Sequence, residues 1–351
     1  MNSERIFVGL SGGVDSSVAA LLLKRAGHEV TGVHLRCVNL DGCADADAED
    51  ARRVAEHLGI PFYVWDFEER YRSEVVDPLL AGYRAGETPN PDVACNREIK
   101  FGAFLDASLE AGADAIATGH YARIVEREGL ACLAAGADAD KDQSYFLAEV
   151  PHDVFDKVRF PLGGLAKPEV REIAAAAGLP TAHKKDSQGI CFLGKVSLSG
   201  YLRTQLPEQP GIVLDTQGTE IGEHDGAWFH TVGQRSGFRV TAKGTGGHTP
   251  PRYVVSRDVG RNVLVVAEAG DEELSVRGVV LRDFRLSGSA GNVLARTRYR
   301  QPLAAADLQE GIRGWELRFR EPHSAPAAGQ AAVCYDAEGT VVATGTVAES
   351  F

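Results

Sequence analysis

No stretch of the 351-residue chain approaches the roughly 18 apolar residues that a membrane-spanning helix needs. The first apolar run, Ile6–Leu10, is too short for the core of a secretory signal and leads straight into a glycine-rich loop. The chain is therefore expected in the cytoplasm, with no membrane partner. None of the six cysteines (Cys37, Cys43, Cys95, Cys132, Cys191 and Cys334) stands in a Cys-x-x-Cys pair, so a zinc ribbon has little support. In a reducing compartment a structural disulfide network is not expected either. Basic residues are scarce: 37 Lys+Arg face 49 Asp+Glu, for a net charge of −12. Such a balance disfavours bulk nucleic-acid binding and leaves it to local basic patches. Internal repeats and low-complexity tracts are absent. What remains is an ordinary globular composition, 44% hydrophobic and 25% charged, long enough for two or three domains at about 150 residues each.

The first half alternates strand-like and helix-like segments. Arg5–Leu10, Glu29–Leu35, Phe62–Asp66 and Ala115–Thr118 read as strands. Ser17–Ala26, Ala46–Leu58, Glu74–Arg84 and Phe101–Ala111 read as helices, the first two stopping at Gly27 and Gly59. Gly86–Asn96 reads as a polar loop. This rhythm implies a parallel sheet with helices on both faces. It degrades after about residue 145, and Lys167–Ala177 is the last clear helix. Beyond Pro207 short alternating runs such as Tyr253–Ser256, Val263–Ala267, Val279–Leu281 and Trp315–Phe319 read as antiparallel strands of small barrels or sandwiches. Ala269–Glu273 marks a break between two β modules.

Gly9-Leu-Ser-Gly-Gly-Val-Asp-Ser-Ser17 follows the first strand and opens the first helix. Glycines there let backbone N–H groups approach an anion, and the helix N-terminus adds positive partial charge. Neither Gly-x4-Gly-Lys-Ser/Thr nor Gly-x-Gly-x-x-Gly is present, which argues against the P-loop and dinucleotide alternatives. A Gly-Gly pair alone would be an ordinary turn. The whole Ser-Gly-Gly-Val-Asp-Ser string resembles the pyrophosphate loop of enzymes that split ATP into AMP and pyrophosphate. By that resemblance, Asp15 helps to orient Mg²⁺ or the phosphates.

Two cysteines lie in polar, turn-rich settings. Cys95 follows two prolines and reads as standing just before a helix, a position that favours thiolate, with Arg97 and Lys100 adding positive charge and Asp92 near enough to act as an acid or base. Cys191 follows Lys184 and Lys185. Each alone reads as a buried thiol. Together, behind an adenylating loop, they suit sulfur transfer, in which one thiol carries a persulfide and the other attacks it. Cys132 and Cys334 sit in apolar runs and read as incidental.

With these motifs assembled, the chain resembles the tRNA-specific 2-thiouridylase family over nearly its whole length. The resemblance rests on the pyrophosphate loop, Thr88-Pro-Asn-Pro-Asp92, Cys95-Asn-Arg-Glu-Ile-Lys-Phe101, Ala117-Thr-Gly-His-Tyr121, Lys141-Asp-Gln-Ser-Tyr-Phe146, Lys185-Asp-Ser-Gln-Gly-Ile-Cys191, His230-Thr-Val-Gly-Gln-Arg235 and Arg298-Tyr-Arg-Gln301. It implies an α/β N-terminal adenosine-nucleotide-hydrolase-like domain over 1–200, a small central domain over 201–272 and a C-terminal antiparallel β-barrel over 273–351. It implies ATP-dependent 2-thiolation of the wobble uridine of tRNA. Gly9, Leu10, Ser11, Gly12, Gly13, Val14, Asp15 and Ser16 would hold ATP, with Leu35 and Gly119 on the adenine side. Asn90, Pro91 and Asp92 would meet the target base. His120, Lys141, Asp142, Gln143, Tyr299, Arg300 and Gln330 would contact tRNA. Cys191 would accept persulfide sulfur from a carrier protein, and Cys95 would be the nucleophile paired with it. ATP and Mg²⁺ are implied, and an iron–sulfur cluster is left open. Position 35 departs from the family's usual methionine, and leucine keeps an apolar surface there. Cys37 and Cys43 receive no role.

Basic residues cluster over 157–203 and again over 277–300, where Arg277, Arg282, Arg285, Arg296, Arg298 and Arg300 face one acid, Asp283. Basic faces on an acidic protein suit a tRNA that must bind and leave. Two other readings stand beside this one. A small-molecule ligase with the same loop would need neither paired cysteines nor a basic barrel. A non-catalytic RNA-binding protein would not cleave ATP.

Overall fold

Alternation along the first strand sets the layers of the N-terminal half. In β1 (Arg5–Gly9), Ile6 and Val8 point with Leu10 into a core built from the helices α1 (Val14–Arg25) and α2 (Cys43–Leu58) and from Val170 and Ala174 of the helix Lys167–Ala176. Phe7 points the other way. Its ring lies 5.9 Å from Trp65, which in turn lies 5.9 Å from Phe104 of a helical run on the opposite face. Successive strand residues face opposite sides, so one apolar run serves two helical layers.

The structure is a computed structural model that describes residues 3–37, 43–185, 197–241 and 250–351. β1 pairs in parallel with β2 (Glu29–Arg36) on one side and β4 (Ala115–Ala117) on the other. With β3 (Phe62–Asp66) and β7 (Val158–Arg159) this makes a five-stranded sheet in the order β3-β2-β1-β4-β7. The chain leaves β1 toward β2 and β3, then returns to the other side of β1 for β4. A crevice therefore opens beyond the carboxyl ends of β1 and β4, where open α/β sheets place their ligands.

Two segments differ from the sequence reading. The expected loop 86–96 ends early, because a helix starts at Pro91 and runs through Cys95, Asn96–Ala103 in wider π geometry and Phe104–Glu110. Proline suits a first helical position, where its missing N–H would have no partner. A hairpin, β5 (Ala122–Arg127) and β6 (Leu130–Ala135), follows β4. Its two-residue turn puts both Glu128 (φ 52°) and Gly129 (φ 81°) in the left-handed region that such turns require.

Among the described residues the chain forms two compact units, one drawn from Met1–Val76, Pro91–Val196 and Glu338–Val341, the other from Asp77–Asn90, Ser197–Ala337 and Val342–Phe351. The second unit is mostly β. A five-stranded sheet runs Phe238–Val240, Glu220–His224, Gly211–Leu214, Val263–Glu268, Arg252–Asp258. One of its pairs, Gly211–Leu214 with Val263–Glu268, is parallel, which the all-antiparallel expectation did not include. Six further strands between Ser275 and Ser350 close into a barrel around Val279, Leu281, Ala295, Leu308, Leu317 and Cys334. Burial pushes the Cys334 thiol up to about 12, so it packs as an inert apolar group. Cys132 is likewise buried, in β6.

Candidate active site

The loop after β1 is shaped to receive an anion. Gly13 caps α1 with no side-chain hydrogen bond, and Gly12 adopts φ 73°. A Cβ on Gly12 would stand 2.4 Å from the Asp47 carbonyl oxygen, so the tight turn excludes any side chain. The hydroxyls of the loop brace it from inside. Ser16 Oγ accepts from the Ser11 N–H at 3.2 Å and donates to the Gly13 carbonyl, while Ser17 Oγ donates to the same carbonyl at 2.7 Å. Below the loop, buried His34 meets the Leu10 carbonyl through Nδ1 at 2.9 Å, and burial holds its pKa below the usual histidine value.

Gly119, at the end of β4, closes the crevice. A Cβ there would lie 2.6 Å from the Ser16 nitrogen and 2.7 Å from the Asp15 carbonyl carbon. Only glycine lets the two loops approach this closely. Gly9 lies beside Leu35, Phe104 and Thr118, whose side chains come within 3.6–3.8 Å of the position its Cβ would take. Leu35 thus supplies an apolar wall at the carboxyl end of β2. All the residues expected to hold ATP therefore converge on one crevice of the first unit.

Two residues here escaped the sequence reading. Lys167 Nζ lies 2.7 and 2.8 Å from the two oxygens of Asp15, and Tyr121 donates its hydroxyl to Asp15 Oδ1 at 2.8 Å. Gln143 exchanges two hydrogen bonds with the Tyr121 backbone, its side chain accepting from the N–H and its own N–H donating to the carbonyl. Asp138 accepts from the Lys167 backbone N–H at 2.9 Å. Asp15 is thus held by a cation and a phenol that are themselves fixed. Tyr121 stood within a motif and Lys167 at a helix start, but 152 residues separate Lys167 from Asp15, and nothing in the sequence joined them.

The other expected residues of this unit fall as follows. Asp92 occupies the first turn of the helix opened by Pro91, where the dipole favours a carboxylate. Cys95 is buried and has helical dihedrals (φ −60°, ψ −42°), one turn inside a continuous helical run. It does not stand at a helix N-terminus, which corrects the expectation drawn from its neighbours. Arg97, expected to add charge there, is paired with Glu98 and Glu149. His120 is buried between Phe101 and Phe160, with Nδ1 2.7 Å from Thr118 Oγ1. Burial, and beside it the Lys100 charge, pull it well below the usual histidine range, so the ring is neutral at pH 7. Asp142 is buried and accepts from the N–H groups of Gly136 and Ser144 at 3.0 Å, while the Lys141 N–H donates to the Asp138 carbonyl.

Cys191 lies outside the described residues, as does most of its motif. Residues just before it are pinned beside the loop: Thr181 Oγ1 donates to Ser17 Oγ, and Lys184 Nζ reaches Asp47 and Asp50 at 2.8 and 2.6 Å. Burial works against the Lys184 charge, but these carboxylates outweigh it and raise its pKa. That ammonium is therefore neutralised by α2 rather than left for a thiolate.

In the second unit, Arg300 is exposed at a turn with φ 63°, its guanidinium 5.4 Å from the Tyr299 ring centroid. A left-handed arginine on the surface is a strained arrangement that displays a cation on an aromatic face. Gln330 donates its amide to the Thr88 carbonyl, and Asn90 ends the same segment.

A profile described as the tRNA methyl transferase HUP domain matches residues 4–195, and one described as the tRNA methyl transferase PRC-barrel domain matches 199–268. A tRNA-specific 2-thiouridylase of Akkermansia muciniphila is 46% identical over 349 residues, covering 95% of this chain and 95% of that protein. One from Streptococcus mutans is 43% identical over 351 residues, covering 96% and 93%. The chain belongs to the tRNA-specific 2-thiouridylase family. A 4-thiouridine synthetase–RNA complex with bound ATP superposes with a TM-score of 0.36 at 20% identity, over 57% of this chain and 50% of that one.

Two basic clusters stand out in the sequence, and here the structure corrects a simple charge count. Arg159 pairs with Glu4, Lys167 with Asp15, Lys184 with Asp47 and Asp50, and Arg203 with Glu208. Arg282 pairs with Glu87, and Arg298 donates to the Val232 and Ala325 carbonyls. These six charges brace the fold. Of the 277–300 cluster, Arg277, Arg282, Arg285 and Arg300 are exposed, Arg300 at its left-handed turn beside Tyr299. No described helix is long and apolar enough to cross a membrane.

Proposed function

We propose that this chain replaces the C2 oxygen of the wobble uridine of tRNA with sulfur, splitting ATP into AMP and pyrophosphate. The observation that supports it most is the uncapped N-terminus of α1, closed over by Gly119 and carrying the Asp15–Lys167 pair. Backbone N–H groups, an ammonium and an apolar wall at Leu35 fit a nucleoside triphosphate. Mg²⁺ fits as the phosphates' companion with Asp15 as protein ligand, since such ions take few protein carboxylates. Among the described residues no set of three or more His, Cys, Asp or Glu side chains is arranged to hold a metal by itself.

In this reading the uridine C2 oxygen attacks the α-phosphorus and pyrophosphate leaves. Lys167 and the loop N–H groups balance the charge of the phosphates. Asn90, Pro91 and Asp92 hold the base, with Asp92 placed to move a proton. His120, Lys141, Asp142 and Gln143 shape the surroundings of that base, and Tyr299, Arg300 and Gln330 serve tRNA from the β unit. Cys191 takes the outer sulfur from a carrier protein's persulfide, and the carrier thiol departs. Sulfur then attacks C2 and AMP leaves. Either Cys95 attacks the inner sulfur of the Cys191 persulfide and frees hydrosulfide, or the outer sulfur attacks C2 and Cys95 then cleaves the S–S link. Both routes end in a Cys95–Cys191 disulfide, which an external thiol reduces before the next turnover. The work is divided among a catalytic domain over 1–200, a central domain over 201–272 and a barrel over 273–351, in the cytoplasm.

Mass spectrometry of tRNA nucleosides after incubation with ATP, Mg²⁺ and a persulfide donor tests this. Gain of 2-thiouridine is expected, and its absence with an active donor would overturn the reading. The same spectrum separates methyl transfer, named in the domain profiles, because that adds a methyl group instead of exchanging oxygen for sulfur.

A further inference from the structure

The segment Gly86–Asn90 is fixed far more firmly than a surface loop requires. It precedes the helix that carries Asp92 and Cys95, and it belongs to the β-rich unit. Its centre is Thr88, which is buried. Thr88 Oγ1 accepts from Arg257 Nη2 at 2.8 Å and lies 2.6 Å from Thr231 Oγ1. The Thr88 N–H donates to the Ala328 carbonyl at 2.8 Å, and its carbonyl accepts from the Gln330 amide. Every polar atom of the residue is engaged. Glu87 is gripped by both terminal nitrogens of Arg282, at 2.5 and 2.7 Å. Pro89 packs so closely on Gly82 that a Cβ there would meet its ring at 2.4 Å.

Arg257 is the centre of this arrangement. Beyond Thr88 it donates to the carbonyls of Gly86 and His230 and sits 5.8 Å from the Tyr83 ring centroid. Burying a guanidinium is unfavourable unless its fork is satisfied, and burial here does lower its pKa. The Gln330 backbone is held in turn, its N–H bound within the turn at Ala327 and its carbonyl accepting from Val347 at 2.8 Å. A satisfied polar network of this kind specifies one conformation rather than adding much stability.

We propose that Arg257, Thr231 and Gln330 are positioning residues for sulfur transfer: they fix Thr88, and so the start of the Asn90–Cys95 stretch that presents the target base and the nucleophile. This rests on the function proposed above. Gln330 thereby acts on the reaction through Thr88, whether or not it also touches RNA.

The test uses Thr88→Val and Gln330→Met, with Thr88→Ser as the rescue, because truncating buried Arg257 would confound folding with positioning. In the free full-length protein, hydrogen exchange at the Thr88 amide should speed up in Thr88→Val and Gln330→Met and stay near wild type in Thr88→Ser. In thiolation assays kcat should fall about tenfold or more in the first two, with KM for tRNA within twofold in Thr88→Val, since small displacements of reacting groups are costly. Thr88→Ser should restore kcat. Loosened exchange with unchanged kcat overturns the proposal, as does a change in KM alone, which would make Gln330 a plain RNA contact. Unaltered exchange in both variants overturns it as well. A wild-type protein that makes no thiouridine refutes the assigned reaction instead, and leaves the exchange result standing.

Discussion

The Asp15–Lys167 pair makes the sharpest prediction. From the loop alone, removing Asp15 is expected to spare folding, and the ion pair revises that. The Lys167 side chain is 12% exposed and Asp15 32%. Two unit charges about 4 Å apart attract by about 4 kcal/mol at an effective dielectric of 20. Solvent at the third-exposed carboxylate screens this, and desolvation opposes it, leaving a net of about 1–2 kcal/mol. Asp15→Asn keeps an acceptor for Tyr121 but leaves the ammonium without its counter-charge. Lys167→Met keeps most of the apolar stem. Each should lower the urea midpoint by an amount worth about 1–2 kcal/mol, and the double variant should lose less than the sum, since the residues are in contact. Pyrophosphate release should fall by about 100-fold or more in all three, because the double variant recovers stability without recovering charge at the phosphates. The reasoning is refuted if the two single losses add and Lys167→Met releases pyrophosphate as the wild type does.

Gly119→Ala should give a stable but weakened enzyme: its Cβ meets backbone at 2.6 Å, overpacking costs about 1–3 kcal/mol, and ATP turnover should drop more than the melting temperature suggests. Cys191→Ser and Cys95→Ser should each stop thiolation while still forming adenylated tRNA, and intact-protein mass spectrometry should find an added sulfur on Cys95→Ser alone; full thiolation by either would remove the two-cysteine route. Arg300→Ala should weaken binding of all tRNAs alike and reduce the slope of log affinity against log salt by about 1, whereas an unchanged slope would exclude a phosphate contact. Burial holds His34, His120, His224, His230 and His323 below the usual histidine pKa, His230 at about 4. Unfolded histidines take up protons below about 6.5, so this stability is complete above that pH and is lost as the pH falls toward 4. A melting temperature that stays flat from pH 7 to 5 would contradict it.

The sequence was most legible where chemistry and chain order coincide. The loop Gly9–Ser17 is contiguous and its strand and helix flank it, so its place in the fold followed from periodicity and glycine. The parallel sheet was legible for the same reason, because its strands are continuous apolar runs. The hairpin 122–135 carries little sequence signal, since its turn reads Glu128-Gly129, without the Asn-Gly or Asp-Gly that marks such turns. Pro91 reads in sequence as part of a loop, although proline also begins helices. Charge clusters misled most. A list of arginines carries no partners, and Arg298 proved to be bound to backbone carbonyls while Arg282 grips Glu87. Lys167 could not be tied to Asp15 from spacing alone, because only the sheet's topology brings them together.

Chain order and spatial grouping part company twice in this protein. Residues 77–90 leave the sheet unit for the β unit, and Glu338–Val341 return to the sheet unit, where the Gly339 carbonyl accepts from the Ala135 N–H at 2.8 Å and Thr340 bridges Ala134. During synthesis, then, the sheet unit lacks this last piece until residue 341 has been translated. Neither unit corresponds to a continuous stretch that a stop codon or a protease could release whole. A fragment ending before residue 338 leaves the rim of the β5–β6 hairpin uncovered, and one beginning at 197 lacks the strand of chain that Arg257 and Gln330 enclose. Gene splitting at the apparent domain border should therefore yield two insoluble halves that recover only when made together.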